Sequence, residues 1–66
     1  MENKIRVARA EKRMTQQQLA DQTGVSRQTI NAIESGKFVP STIVAMKIAR
    51  VFERPVEEIF SLEEGD

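Results

Sequence analysis

The chain has no cysteine and no histidine. Without cysteine no disulfide can staple it, so the sequence fits a reducing compartment and not the cross-linked miniproteins of the secretory route. Without histidine it lacks the commonest general base, the commonest metal ligand and the usual pH sensor. No apolar run approaches the roughly 18 residues of a membrane span, and the N-terminal MENKIRVARAEKR lacks the apolar stretch of a signal peptide. Sustained alternation of apolar and polar residues is missing too, so no strand is expected. What remains is 66 residues, 39% hydrophobic and 30% charged, an ordinary composition for one soluble globular domain. A chain this short buries only about 60% of the surface its unfolded form exposes, which leaves the core marginal unless something supports it.

The formal net charge is zero, but its distribution is uneven. Residues 1–40 carry seven basic and four acidic side chains, a net +3; residues 41–66 carry three basic and six acidic, a net −3. A chain polarised in this way can turn a positive face to a polyanion while staying neutral overall. An ordinary pair of solvated faces would give the same arithmetic, so charge alone does not decide.

Punctuation divides the chain into five helical pieces. The first is expected from about Asn3 to Arg13, with Ile5, Ala8 and Lys12 at helical spacing and Val7 beside them forming a narrow inward stripe. Thr15-Gln16-Gln17-Gln18 reads as a capping box opening the second, which carries Leu19, Ala20 and Thr23 inward and stops at Gly24. Ser26 caps the third, where Ile30 and Ile33 face the core and Ser35-Gly36 ends the run. Ser41 caps a fourth reaching about Phe52, with Val44, Ala45, Ile48, Ala49 and Phe52 on one face. After Glu53-Arg54-Pro55, a short last helix from Val56 to about Phe60 brings Val56, Ile59 and Phe60 inward. Residues 61–66 form an acidic tail expected to fray.

Residues 16–35 meet five demands of one geometry. Two helices that cross at roughly 90–120° through a tight turn need a small residue at closest approach, a residue at positive φ, and an apolar side chain under the turn. Ala20, Gly24 and Val25 answer these, while Leu19 and the Ile30/Ile33 pair complete the inner set. Any one feature also fits a plain αα-hairpin. The outer face adds a second argument. Ser26-Arg27-Gln28-Thr29 fills the first turn of the third helix with donors and acceptors, and Asn31 extends them. Arginine pairs bidentately with guanine and glutamine with adenine in the major groove. Between Gln16 and Ala32 the only acid is Asp21.

The stretch MTQQQLADQTGVSRQTINAIESGKFVPS resembles the Cro/cI-type helix-turn-helix family, also called lambda-repressor-like or XRE, and the resemblance runs from Ile5 to Phe60. It implies an all-α, compact five-helix domain with the helix-turn-helix at helices two and three, in a stand-alone form occupying residues 1–66. It implies that Arg27, Gln28 and Asn31 read base edges. It places Gln16, Gln17, Ser26, Thr29, Lys37, Phe38 and Ser41 on DNA phosphates, with Gln16 using both its backbone N–H and its side chain. Arg9 and Glu34 look like the family's structural ion pair, which removes Arg9 from the DNA-binding set. Three departures stand out. Thr23 replaces a common aliphatic residue, Thr42 a common leucine, and Glu53 stands where Gly or Asn often ends the fourth helix; a left-handed Glu there costs on the order of 1 kcal/mol.

The leading functional reading is therefore a sequence-specific double-stranded DNA-binding transcriptional regulator, in the sense of a repressor, in the cytoplasm at the nucleoid. The alternative is an antitoxin-like or scaffold module whose acidic tail docks a basic protein. An enzyme is not expected: no nucleophile lies beside a base, and the Glu57, Glu58, Glu63 and Glu64 cluster fits no calcium loop. No metal, cofactor, small-molecule effector or membrane partner is expected either. A homodimer is expected, because association supports a marginal core and two subunits read a two-fold symmetric site. Ile43 and Met46, off the core stripe of the fourth helix, and Leu62 after the last helix are the expected contact.

Overall fold

Asn3 opens the fold in an extended segment, not in the first helix. The computed structural model describes residues 1–66. Its elements are β1 (Glu2–Asn3), α1 (Ile5–Lys12), α2 (Gln16–Thr23), α3 (Arg27–Glu34), α4 (Thr42–Val51), α5 (Val56–Ile59) and β2 (Phe60–Ser61). The five helices bear out the all-α, lambda-repressor-like expectation, with one addition that the sequence did not signal. β1 and β2 pair antiparallel, Glu2 opposite Ser61 and Asn3 opposite Phe60. Each strand is two residues long, far too short for alternation to register.

Asn3 explains why the first helix starts late. Its Oδ1 accepts from the Ile5 N–H at 3.2 Å, supplying the opening of α1 from outside it. Its Nδ2 donates to the Ile33 carbonyl at the end of α3, 2.9 Å away. One side chain thus ties the ribbon, α1 and α3 together.

The other starts follow local chemistry. The capping box closes in both directions: Gln18 N–H to Thr15 Oγ1 at 3.0 Å, and Thr15 N–H to Gln18 Oε1 at 2.8 Å. Gly24, at φ +75°, returns its N–H to the Ala20 carbonyl and ends α2. Ser26 and Ser41 accept from Thr29 and Val44 N–H and open α3 and α4. Glu53, standing where the resemblance places Gly or Asn, is left-handed at φ +56°. Its N–H bonds the Arg50 carbonyl and the next N–H bonds that of Ala49, a Schellman-type closure that offsets the strain. Arg13 ends α1 in the same conformation.

Eleven apolar residues, from all five helices, β2 and the Phe52 cap of α4, form one buried core. Ile5, Leu19, Ile30, Ile33, Ile48 and Ile59 are its largest fully buried side chains, each worth about 1.5–3 kcal/mol. Thr23, the polar departure, is buried but satisfied, its hydroxyl donating to the Leu19 carbonyl at 2.8 Å. The expected inward stripe of α1 is narrower than its spacing suggested: Val7 is 59% exposed and Lys12 is exposed, because only the Ile5/Ala8 edge meets the other helices. No helix is long and apolar enough to cross a membrane.

The acidic tail folds back on the N-terminus. The ribbon sets residue 61 opposite residue 2, which brings the Met1 ammonium within 3.1 Å of Glu63 and 3.0 Å of Asp66. Hydrogen bonds from the Met1 ammonium to Asp66 and Glu63 raise its pKa above the ordinary value, and the Glu63 N–H with the same ammonium lowers that of Asp66. All these groups are near solvent, so the clasp adds little stability.

Candidate nucleic-acid interface

α2 and α3 meet through the Gly24 turn, with Ala20 and Ile30 buried between them and Val25 half-buried beneath it. This crossing leaves the first turn of α3 facing outward. Arg27 and Gln28 are exposed there, and their side chains make no hydrogen bond or ion pair within the chain. Lys37, in the loop after α3, is likewise exposed and unpaired. That loop is shaped by Gly36 at φ +81° and by the Lys37 and Phe38 N–H groups, which share the Ala32 carbonyl. Phe38 is 53% exposed on it.

The remaining polar side chains of this face already have partners. Ser26 Oγ and Thr29 Oγ1 bond each other at 2.9 Å while Ser26 also caps the helix. Of their two hydroxyl protons, one is used between them and one is left to donate. Gln17 Nε2 donates to Asp21 Oδ1 one turn on, at 2.8 Å. Ser41 is exposed, its oxygen capping α4. Gln16 is half-buried, and its Nε2 donates both to Asn31 Oδ1 at 3.1 Å and to Glu34 Oε2 at 3.3 Å. Both protons of its side-chain amide are therefore spent within the chain rather than left free for a phosphate. The backbone N–H groups of Gln16 and Gln17 open α2 and, like the first amides of any helix, have no intrahelical acceptor.

Behind the face lies an ionic hub that the sequence showed only in part. Arg9 grips Glu34 with two bonds, Nε to Oε1 at 2.7 Å and Nη2 to Oε2 at 3.0 Å, and spends its third on the Met14 carbonyl. Arg6 adds a fourth contact from the surface at 3.3 Å. The Glu34 side chain is only 3% exposed. Burial alone would push its carboxyl upward; the bonds from Arg9, Arg6 and Gln16 outweigh that and hold it below the ordinary carboxylate value. Its own bonds to Glu34 raise the pKa of the Arg9 guanidinium. Sequence reasoning paired Arg9 with Glu34 but missed Arg6 and Gln16. No spacing rule links residues 18 to 28 positions apart on three helices.

The expected dimer residues do not fall on one element. Ile43 and Met46 lie three positions apart on α4, 67% and 57% exposed, whereas Leu62, 78% exposed, follows β2. No group of three or more His, Cys, Asp or Glu side chains is placed to hold a metal.

Two short helices crossing at a left-handed glycine, the second offering a free polar first turn, define a helix-turn-helix. The helix-turn-helix family model matches residues 5–59 of this chain. Full-length relatives agree. Archaeal MJ0272 of Methanocaldococcus jannaschii is 48% identical over 66 residues, covering all of both chains; Bacillus subtilis YgzD is 44% identical over 64, covering 97% of each. Both are named as uncharacterized HTH-type transcriptional regulators. The HTH-type transcriptional activator BcrR of Enterococcus faecalis is 39% identical over 61 residues, which span 92% of this chain and 30% of BcrR. The chain belongs to the XRE-type helix-turn-helix family, and it is a DNA-binding transcriptional regulator.

Proposed function

We propose that this chain is a sequence-specific repressor, a cytoplasmic, nucleoid-associated homodimer that sets α3 of each subunit into the major groove of a two-fold symmetric operator. The observation that carries the reading is the freedom of Arg27 and Gln28. On a face where most neighbouring polar side chains already bond within the chain, these two are exposed and wholly unspent, as suits groups that exchange water for base edges. Lys37, Phe38 and Ser41 in and after the following loop, with the opening amides of α2, clasp the backbone on either side. Gln17, Ser26 and Thr29 add phosphate contacts through the donors their internal bonds leave over. Repression needs nothing more than this surface, since occupying a promoter excludes polymerase.

The dimer is proposed on α4. Ile43 and Met46 are adjacent turns of one exposed face, and Leu62 joins them where the ribbon of one subunit reaches its partner. One α3 reads only a few base pairs, and a second copy doubles the site with half-sites about 34 Å apart. Selection of bound duplexes from a randomised library tests the whole reading, because it returns the sequence and its symmetry together. An inverted repeat is expected; recovery of no common sequence sinks the proposal. Ile43→Lys with Met46→Glu is expected to leave the helical spectrum intact, shift sedimentation toward monomer and weaken operator binding. A wild-type chain that sediments as a monomer at micromolar concentration and binds one half-site as tightly as two rules the dimer out.

A further inference from the structure

The bonds among Glu34, Gln16 and Asn31 determine which end of the Asn31 amide meets DNA. Glu34 is gripped by two arginines and is ionised, so its oxygens only accept. The Gln16 atom 3.3 Å from Glu34 Oε2 must then be the amide nitrogen, since the flipped amide would set oxygen against oxygen. The second proton of that nitrogen is directed at Asn31, 3.1 Å away, and a donor there requires the Asn31 oxygen. The Asn31 nitrogen is left on the exposed side with no partner in the chain. Reversing Asn31 would aim its NH2 at the NH2 of Gln16.

We propose that Asn31 is a base-reading residue of fixed polarity, a donor only, and that Gln16 is the positioning residue that fixes it. The proposal rests on α3 lying in the major groove. A free asparagine can turn either end to the groove, so a single hydrogen bond from it can donate or accept and meets any base. Locked this way, it selects a base carrying an acceptor on its major-groove edge: guanine, adenine or thymine. It disfavours cytosine, whose edge offers the N4 amino donor. Glu34, buried behind α3, thereby sets the chemical preference at a base it does not touch.

The test measures binding of the full chain to the duplex selected from a randomised library and to its single-base variants. In wild type, one base pair per half-site is expected to reject cytosine at the base facing Asn31 by roughly tenfold. Asn31→Asp keeps the acceptor for Gln16 but replaces the outward donor with an acceptor, so that discrimination is expected to vanish or invert. Gln16→Leu is expected to relax the same base pair several-fold and leave the preferences set by Arg27 and Gln28 unchanged. Uniform weakening of all sequences by Gln16→Leu, with every preference kept, assigns Gln16 to phosphate binding and overturns the proposal. So does an Asn31→Asp chain with unaltered base preferences; this exposed substitution reports even if Gln16→Leu folds poorly. A wild type without any sequence preference would overturn the DNA reading itself, a result distinct from either.

Discussion

The two halves of α3 carry polar side chains of similar kind under opposite constraint. At its start, Arg27 and Gln28 have no partner and keep their rotamer freedom. At its end, Asn31 and Glu34 are bound into a set of hydrogen bonds reaching to α1 and α2. In the proposed complex the first half adapts to a base pair at the cost of ordering its side chains on binding. The second half is already held by these bonds and pays that cost in folding. One eight-residue helix thus combines an adaptable edge with a preset one, and the preset one also holds the domain together.

Breaking the locked half has the largest expected effect. Glu34→Ala leaves the Arg9 guanidinium, 17% exposed, without its partner, and removal of one member of a buried pair costs about 3 kcal/mol or more. In a domain this small that consumes much of the total stability. Urea denaturation followed by circular dichroism is expected to show a largely unfolded chain; a midpoint equal to wild type contradicts the hub.

The free half is probed by salt. Arg9 and Arg6 are tied to Glu34, so phosphate attraction falls to Arg27, Lys37 and the other unpaired cations. About four to six phosphate contacts per subunit give a log–log slope of roughly −4 to −5 for operator binding. A flat salt titration means that the neutral overall charge, and not the local face, governs the encounter.

Next in size come the individual readers. Arg27→Ala and Gln28→Ala are each expected to lose about 1–3 kcal/mol of discrimination at one base pair. Lys37→Ala is expected to weaken all sequences alike. None should move the melting temperature, which separates these residues cleanly from Glu34. An Arg27→Ala chain with wild-type preferences would transfer the reading role elsewhere.

The smallest effect expected is titration of the locked half. Glu34 has a folded pKa below its ordinary value of 4.5. Its contribution is complete above that value and is lost as pH falls through the lower, folded pKa, where protonation removes the charge that Arg9 and Arg6 face. Stability of wild type is expected to decline below about pH 4.5 more steeply than that of Glu34→Gln. Equal acid sensitivity of the two chains assigns the decline to other carboxylates.

Much of the fold was legible because its signals are local. Thr15, Ser26 and Ser41 each bond an amide three residues on, and Gly24 closes on a carbonyl four residues back. Such contacts are written in short motifs. The exposed first turn of α3 was legible for the same reason: Arg27 and Gln28 directly follow a cap and lie off the Ile30/Ile33 stripe. The ribbon was not, since pairing of Asn3 with Phe60 joins opposite ends of the chain through two-residue strands. Nor was the outward turn of Val7, because helical spacing marks a stripe without saying how wide its neighbours are.

Local sequence was enough for the caps of α2, α3 and α4, the left-handed close of α2 at Gly24, most of the core and the exposed polar first turn of α3, all through contacts within a turn or two of backbone. It took the packing of separate elements to clasp the acidic tail to Met1, to let Arg6 and Gln16 share Glu34 with Arg9, and to turn the Asn31 nitrogen outward. These depend on distances between separate helices and strands, and on which end of an amide a neighbouring charge will accept. Packing sets both, and no local pattern of residues encodes them.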